Sequence, residues 1–215
     1  MHILLPGLRK FSERIFPKQQ TLFQNLTENQ QKPHTLMITC SDSRVDPSLV
    51  TQTKPGEMFV MRNAGNIVPP YGSDGGEEAA IEFAVDVLGV SNIVVCGHSQ
   101  CGAMNALLKP DHVHNLPALK RWLAHSQESR RRVQERKEPE TVNALIQANA
   151  LVQAEHLKSH PSVAEALRLG RVQIFAWIYN LESGSIAVYD PSTKNYIPST
   201  QVKEDVERDV SKFAL

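Results

Sequence analysis

Cys40, Asp42 and Arg44 follow one another at two-residue steps in the stretch 35–47, TLMITCSDSRVDP. An apolar β-type run, Leu36, Met37 and Ile38, ends there, so a sulfur, a carboxylate and a guanidinium leave the end of one strand together. A second stretch, 92–104, reads NIVVCGHSQCGAM and delivers His98 and Cys101 at a turn after another apolar run. Two soft sulfurs and an imidazole are a ligand set suited to zinc. Three protein ligands leave one position open, as catalytic rather than structural zinc requires. The H-x-x-C spacing is a weak signal alone; its combination with Cys-x-Asp-x-Arg makes it informative. Cys96, beside the run Ile93 to Val95, reads as a small buried hydrophobe.

Two other chemistries fit parts of the same residues. Gly97-His98-Ser99-Gln100-Cys101 approaches the G-x-S-x-G nucleophile elbow, with Ser99 as nucleophile and His156 or His160 as its base. The closing glycine is missing, however, and Cys40 has no role in that scheme. A phosphatase-type role for Cys40 calls for an arginine six positions on, where Asp46 stands. The cluster Asp111-His112-Val113-His114 offers further metal donors but reads as a surface loop.

The 215 residues suffice for one domain with a real core, and the expected organisation is a single domain, 1–215, with a helical arm over 1–30. Lys plus Arg equals Asp plus Glu at 23 each, so no overall field draws the chain to nucleic acid or an anionic membrane. No membrane span or secretory signal is apparent. The three cysteines cannot all pair within the chain, which favours metal-ligating thiolates in a reducing, cytoplasmic compartment.

The elements that must carry these residues follow an α/β pattern. In the arm, Leu4, Leu8, Phe11 and Ile15 share one helical face and Leu22, Phe23 and Leu26 another, with a break expected near Pro17. Strands are expected at 35–40, 58–61, 92–96 and 172–179, and a helix over 74–88 with Asp74 as N-cap, Glu77 three residues on and Gly89 at its end. Strand, helix, strand at this spacing implies parallel pairing. Two helices are expected within 117–158, and a hairpin at Ser183-Gly184 leads into an antiparallel edge strand, 186–189. Ligands of an open parallel sheet sit beyond the carboxyl ends of its strands, where the order reverses. A mainly parallel sheet in the order 2-1-3-4 therefore brings Cys40, His98 and Cys101 into one crevice.

The motifs Cys40-Ser41-Asp42-Ser43-Arg44, Arg62-Asn63-Ala64-Gly65-Asn66 and Gly97-His98-Ser99-Gln100-Cys101-Gly102 together resemble those of the β-class carbonic anhydrases. The likeness runs from about Gln31 to Tyr189 and looks closest to the branch that includes cyanobacterial carboxysomal enzymes, whose long C-terminal extension this sequence lacks. A carboxysome is thus the alternative to the cytoplasm. The resemblance implies one zinc per chain on Cys40, His98 and Cys101, with water, or Asp42 in a closed state, as fourth ligand. It implies reversible hydration of CO2 to bicarbonate and a proton by hydroxide on the zinc, in a homodimer or homotetramer with its site at the subunit interface. Asp42 and Arg44 match the catalytic pair. Gln31, Phe59, Ala64, Phe83 and Gly102 match substrate-binding positions, with Ala64 and Phe83 replacing the Val and Tyr of plant members. The rival readings are a CS2 or COS hydrolase on the same scaffold and a non-catalytic zinc module.

Overall fold

The computed structural model describes residues 3–136, 139–202 and 210–215. The chain divides into two compact units, Met1–Lys32 and Pro33–Leu215. The first is helical: α1 (Leu5–Lys10) and α2 (Phe16–Glu28) are joined by a π-helical turn over Phe11–Ile15. The interruption expected near Pro17 is this π-helical turn, which ends just before it. Pro17 lies in the first turn of α2, where the preceding chain departs from the regular α pattern that a proline cannot continue.

The second unit is built on a six-stranded sheet in the order β2-β1-β3-β4-β5-β6. Its strands are β1 (Thr35–Cys40), β2 (Met58–Asn63), β3 (Asn92–His98), β4 (Gln173–Tyr179), β5 (Ile186–Asp190) and β6 (Asn195–Pro198). The first four pair in parallel and the last two run antiparallel. The expected order is therefore present, with one strand more than the sequence pattern showed. β6 is four residues long and ends in Pro198, too short to display an alternation.

Every residue of β1 is buried, as in a sheet covered on both faces. One face carries Leu36, Ile38, Ile93, Val95 and Ile174 against α4 (Gly76–Glu82), α8 (Val142–Leu157) and α9 (Pro161–Arg168). The other carries Met37, Val94, Phe175 and Val188 with Phe213. The remaining helices are α3 (Pro47–Thr51), α5 (Gly102–Leu108), α6 (Pro117–Leu123) and α7 (Gln127–Glu135). Among the described residues three helices, not two, thus occupy 117–158, and α9 was not foreseen.

The helix after β2 also differs from expectation. Gly75 is its N-cap, with no side-chain capping bond, while Asp74 takes a left-handed φ of 50°. The Glu77 carboxylate accepts from Asn63 Nδ2 at 3.4 Å, so it serves the end of β2 rather than a capping box. The helix passes into a π-helical turn, Phe83–Val87, and Gly89 follows at φ 66°, the left-handed position expected of it.

The loop after β2 is anchored from α8. Asn149 Nδ2 donates to the Gly65 carbonyl at 3.0 Å, and Gln153 Oε1 accepts the Val68 N–H at 2.9 Å while its Nε2 donates to Asn149 Oδ1. Both side chains are buried, so these amides replace the water that loop backbone would otherwise need. Gln153→Leu orphans the Val68 N–H and is expected to cost about 1–3 kcal/mol. Denaturant unfolding at fixed protein concentration measures this, and an unchanged midpoint would show that the amide holds nothing.

Candidate active site

β1 ends in Cys40 and β3 in His98, and their parallel register (Ile38 beside Val95, Thr39 beside Cys96) brings both ends to the same edge of the sheet. Cys101 follows as the N-cap of α5. The ligand atoms of Cys40, His98 and Cys101 all lie within 4.8 Å of one another, and this is the one such group of donors among the described residues. All three side chains are buried. His98 Nδ1 donates to the Ser99 carbonyl at 2.9 Å, which fixes the tautomer and leaves Nε2 as a bare acceptor. That Nε2 is buried with no hydrogen-bond partner. An orphaned imidazole nitrogen facing two sulfurs is costly unless a cation completes it. The donor set fits zinc.

The two thiols shift one another in opposite directions. Cys40 is drawn below the ordinary thiol range, chiefly by its hydrogen bond with Cys101, with the Gly65 N–H also contributing and burial opposing them. The Gly65 N–H lies 3.3 Å from Cys40 Sγ. Cys101 is pushed up by the same hydrogen bond, then by burial. Cys96 stands apart, buried and pushed up to about 12 by desolvation, in accord with its reading as a core residue.

Asp42 is held in a fork. Arg44 Nε donates to Oδ1 at 2.9 Å and Nη2 to Oδ2 at 2.8 Å, and the Arg44 backbone N–H adds a bond to Oδ1 at 3.0 Å. The side-chain bonds from Arg44 keep this carboxyl well below the usual carboxylate range. Asp42 Oδ2 nevertheless sits only 3.9 Å from His98 Nε2, at the edge of the donor cluster. Arg62 holds the loop between them, donating through Nε to the Cys40 carbonyl at 3.1 Å and through Nη2 to the Asp42 carbonyl at 2.9 Å.

Comparison with known proteins decides the family. The family model described as carbonic anhydrase matches residues 35–186. The chain belongs to the β-class carbonic anhydrases. It is 45% identical over 192 residues to a carbonic anhydrase of Synechococcus elongatus, covering 86% of this chain and 70% of that one. It is 43% identical over 201 residues to one from Pseudomonas aeruginosa, covering 92% and 91%. Among solved structures, the β-carbonic anhydrase CcaA superposes with a TM-score of 0.88 at 40% identity, covering 92% of this chain and 91% of that chain. Tetrameric β-carbonic anhydrases of Sordaria macrospora give 0.78 at 28% identity, with 87% and 95% covered. This chain is accordingly a carbonic anhydrase enzyme.

The other residues singled out in the sequence fall in several places. Phe59 and Phe83 form a ring pair with centroids 6.0 Å apart. Ala64 is exposed, and its carbonyl accepts the Trp122 Nε1–H at 2.8 Å. Gly102 opens α5 and is exposed. Gln31 belongs to the first unit, where it too is exposed. The serine-hydrolase constellation is not assembled. Ser99 Oγ accepts the Leu181 N–H, while His156 and His160 bond the carbonyls of Val68 and Pro69. Sequence reasoning missed Gly65 as a donor to sulfur, Trp122, Asn149 and Gln153. Only the glycine inside a recognised motif offered any signal.

In the metal-free protein, the Cys40 thiolate is expected to persist at neutral pH and to be lost only as the pH falls well below the ordinary thiol range, because a lowered folded value keeps the charged form present above it. Thiolate absorbance at 240 nm measures this. It should vanish in Cys40→Ala at pH 7 and remain in Cys96→Ala; the reverse pattern would place the charge elsewhere.

Proposed function

We propose that the enzyme carries out reversible, zinc-dependent hydration of CO2 to bicarbonate, with one zinc per chain held by Cys40, His98 and Cys101. The observation that carries this reading is the pairing of that buried donor set with a carboxylate fastened 3.9 Å from the free imidazole nitrogen. Zinc in such a site would supply Lewis acidity, turning water into a competent nucleophile near neutral pH.

The chain's own residues supply the rest. Asp42, kept ionised by Arg44, accepts a hydrogen bond from the reacting water and orients its lone pair toward the substrate. A carboxylate held so low is a weak base, so Asp42 positions the water, and solvent or buffer carries the proton away. Arg44 engages both Asp42 oxygens and thereby keeps the carboxylate from closing on the metal as a fourth ligand. Phe59, Phe83 and Ala64 give CO2 an apolar wall. The Gly102 N–H offers a donor to the oxygens that gain charge as bicarbonate forms.

Phe83 and Val87 are 42% and 66% exposed, apolar area that a second copy of the chain would cover. A homodimer or homotetramer with the helical arm packed on its partner is consistent with this, and with the tetrameric relatives. Among the described residues no helix is long and apolar enough to cross a membrane, and the three cysteines are free. A reducing cytoplasmic setting fits both.

Stopped-flow CO2 hydration with a pH indicator, at mildly alkaline pH, tests the proposal. Zinc-loaded wild type should hydrate CO2 rapidly, Cys40→Ala should lose both zinc and activity, and Arg44→Ala should keep zinc while losing about 10- to 100-fold in kcat, as changes to groups supporting a metal site do. Full activity in Arg44→Ala would contradict the role given to the fork. Bound zinc without hydration in wild type would contradict the function.

A further inference from the structure

The fork that holds Asp42 is itself held from the far side, by residues to which neither the motifs nor the family assignment gives a role. Arg44 Nη1 donates to Gln100 Oε1 at 3.3 Å, and Arg44 Nη2 reaches the Gln100 carbonyl at 3.4 Å. Gln100 therefore meets the guanidinium with side chain and backbone together. Its φ of 57° lies in the left-handed region, an unusual choice for a residue other than glycine, and its carbonyl and its amide both face Arg44.

The amide of Gln100 has a second partner. Its Nε2 donates to the Glu182 carboxylate, which fixes the amide so that Oε1, not Nε2, faces Arg44. Glu182 sits in the β4–β5 hairpin, and that hairpin is closed by local bonds that aim it. Asn180 Oδ1 accepts the N–H groups of Glu182 and Ser183 at 2.9 and 3.1 Å, and the Gly184 N–H, at a φ of 72°, returns to the Asn180 carbonyl. The hairpin is also tied to the site turn. The Leu181 N–H donates to Ser99 Oγ at 2.9 Å, and the Ser99 N–H donates to the Tyr179 carbonyl at 2.8 Å.

We propose that Gln100 and Glu182 are positioning residues for the hydration reaction, a chain Glu182–Gln100–Arg44–Asp42 through which the β4–β5 hairpin keeps the arginine fork on Asp42. Arg44 alone is a weak anchor: its side chain is 48% exposed, and a solvent-facing guanidinium swings at little cost. With Gln100 accepting on its outer edge, four of its side-chain contacts converge and the fork is held on both sides. Loss of Glu182 frees the Gln100 amide to turn. Its NH2 group then meets the guanidinium, donor against donor.

The inference rests on the carbonic anhydrase reading of the site, and its test separates the two. In zinc-loaded, full-length protein, the rate of Arg44 modification by phenylglyoxal is followed by peptide mass spectrometry, alongside kcat and KM for CO2 hydration, in wild type, Gln100→Ala, Glu182→Ala and Glu182→Gln. Gln100→Ala and Glu182→Ala should modify Arg44 about 2- to 10-fold faster, on the scale of one lost hydrogen bond, and lower kcat by a similar factor with KM unchanged. Glu182→Gln retains an acceptor for Gln100 and should recover most of both losses. Wild-type modification rates in both alanine variants would overturn the chain of contacts. Faster modification with unaltered kcat would overturn its service to the reaction. Failure of the wild type to hydrate CO2 would instead overturn the functional reading, with Arg44 protection still reporting the contacts.

Discussion

The parallel pairing of β1 with β3 is the constraint on which the site depends. Cys40 and Cys101 are distant in sequence, and no local element could bring them together. Register does it: Thr35 beside Asn92 and Thr39 beside Cys96 oblige the two strands to end at the same edge. Parallel strands need a crossover, and α4 with its π-helical turn provides one that also buries Ile81, Ala84 and Val85 against the sheet. Every residue of β1 is buried, so a slip of one position would exchange its two buried faces and carry Cys40 away from its partners.

Around that edge, charge is arranged in layers. The two cysteine sulfurs and the His98 imidazole lie innermost and buried. The Asp42 carboxylate stands beside them, and Arg44 outside it faces solvent. Each group is stabilised by the next one outward, from the Gly65 N–H on Cys40 to the guanidinium on Asp42. Backbone supports this as much as side chains do, since Arg62 grips two carbonyls of the site loop and α8 grips the glycine loop. In the proposed reaction, the same layering gives an oriented water, a carboxylate that stays ionised, and a guanidinium that keeps it off the metal.

Much of this was legible in the sequence, because the informative residues are scarce types at meaningful spacings. Cys40, Asp42 and Arg44 announce themselves, and so do His98 and Cys101, while the apolar runs and the hairpin at Ser183-Gly184 give five of the six strands and the order of the parallel ones. Gly89 could be read as a helix end because a left-handed position demands glycine there. What escaped has a common cause. Asp74 and Glu77 spell a capping box, yet Glu77 turns to Asn63, a partner fixed only by the tertiary fold. Asn149, Gln153 and Trp122 bind the backbone of a loop far off in sequence, and nothing in a one-dimensional pattern marks a polar residue in an apolar helix as a tether. Pro17 marked an interruption that takes the form of a π-helical turn over Phe11–Ile15 rather than a loop.

X-ray absorption at the zinc edge of the loaded enzyme tests the central claim most directly, since it reports the ligands without relying on turnover. Two sulfur scatterers at about 2.3 Å and one imidazole at about 2.0 Å are expected, with the sulfur shell reduced to one in Cys40→Ala. A zinc shell without sulfur, or one unchanged in that variant, would contradict the site assigned to Cys40, His98 and Cys101.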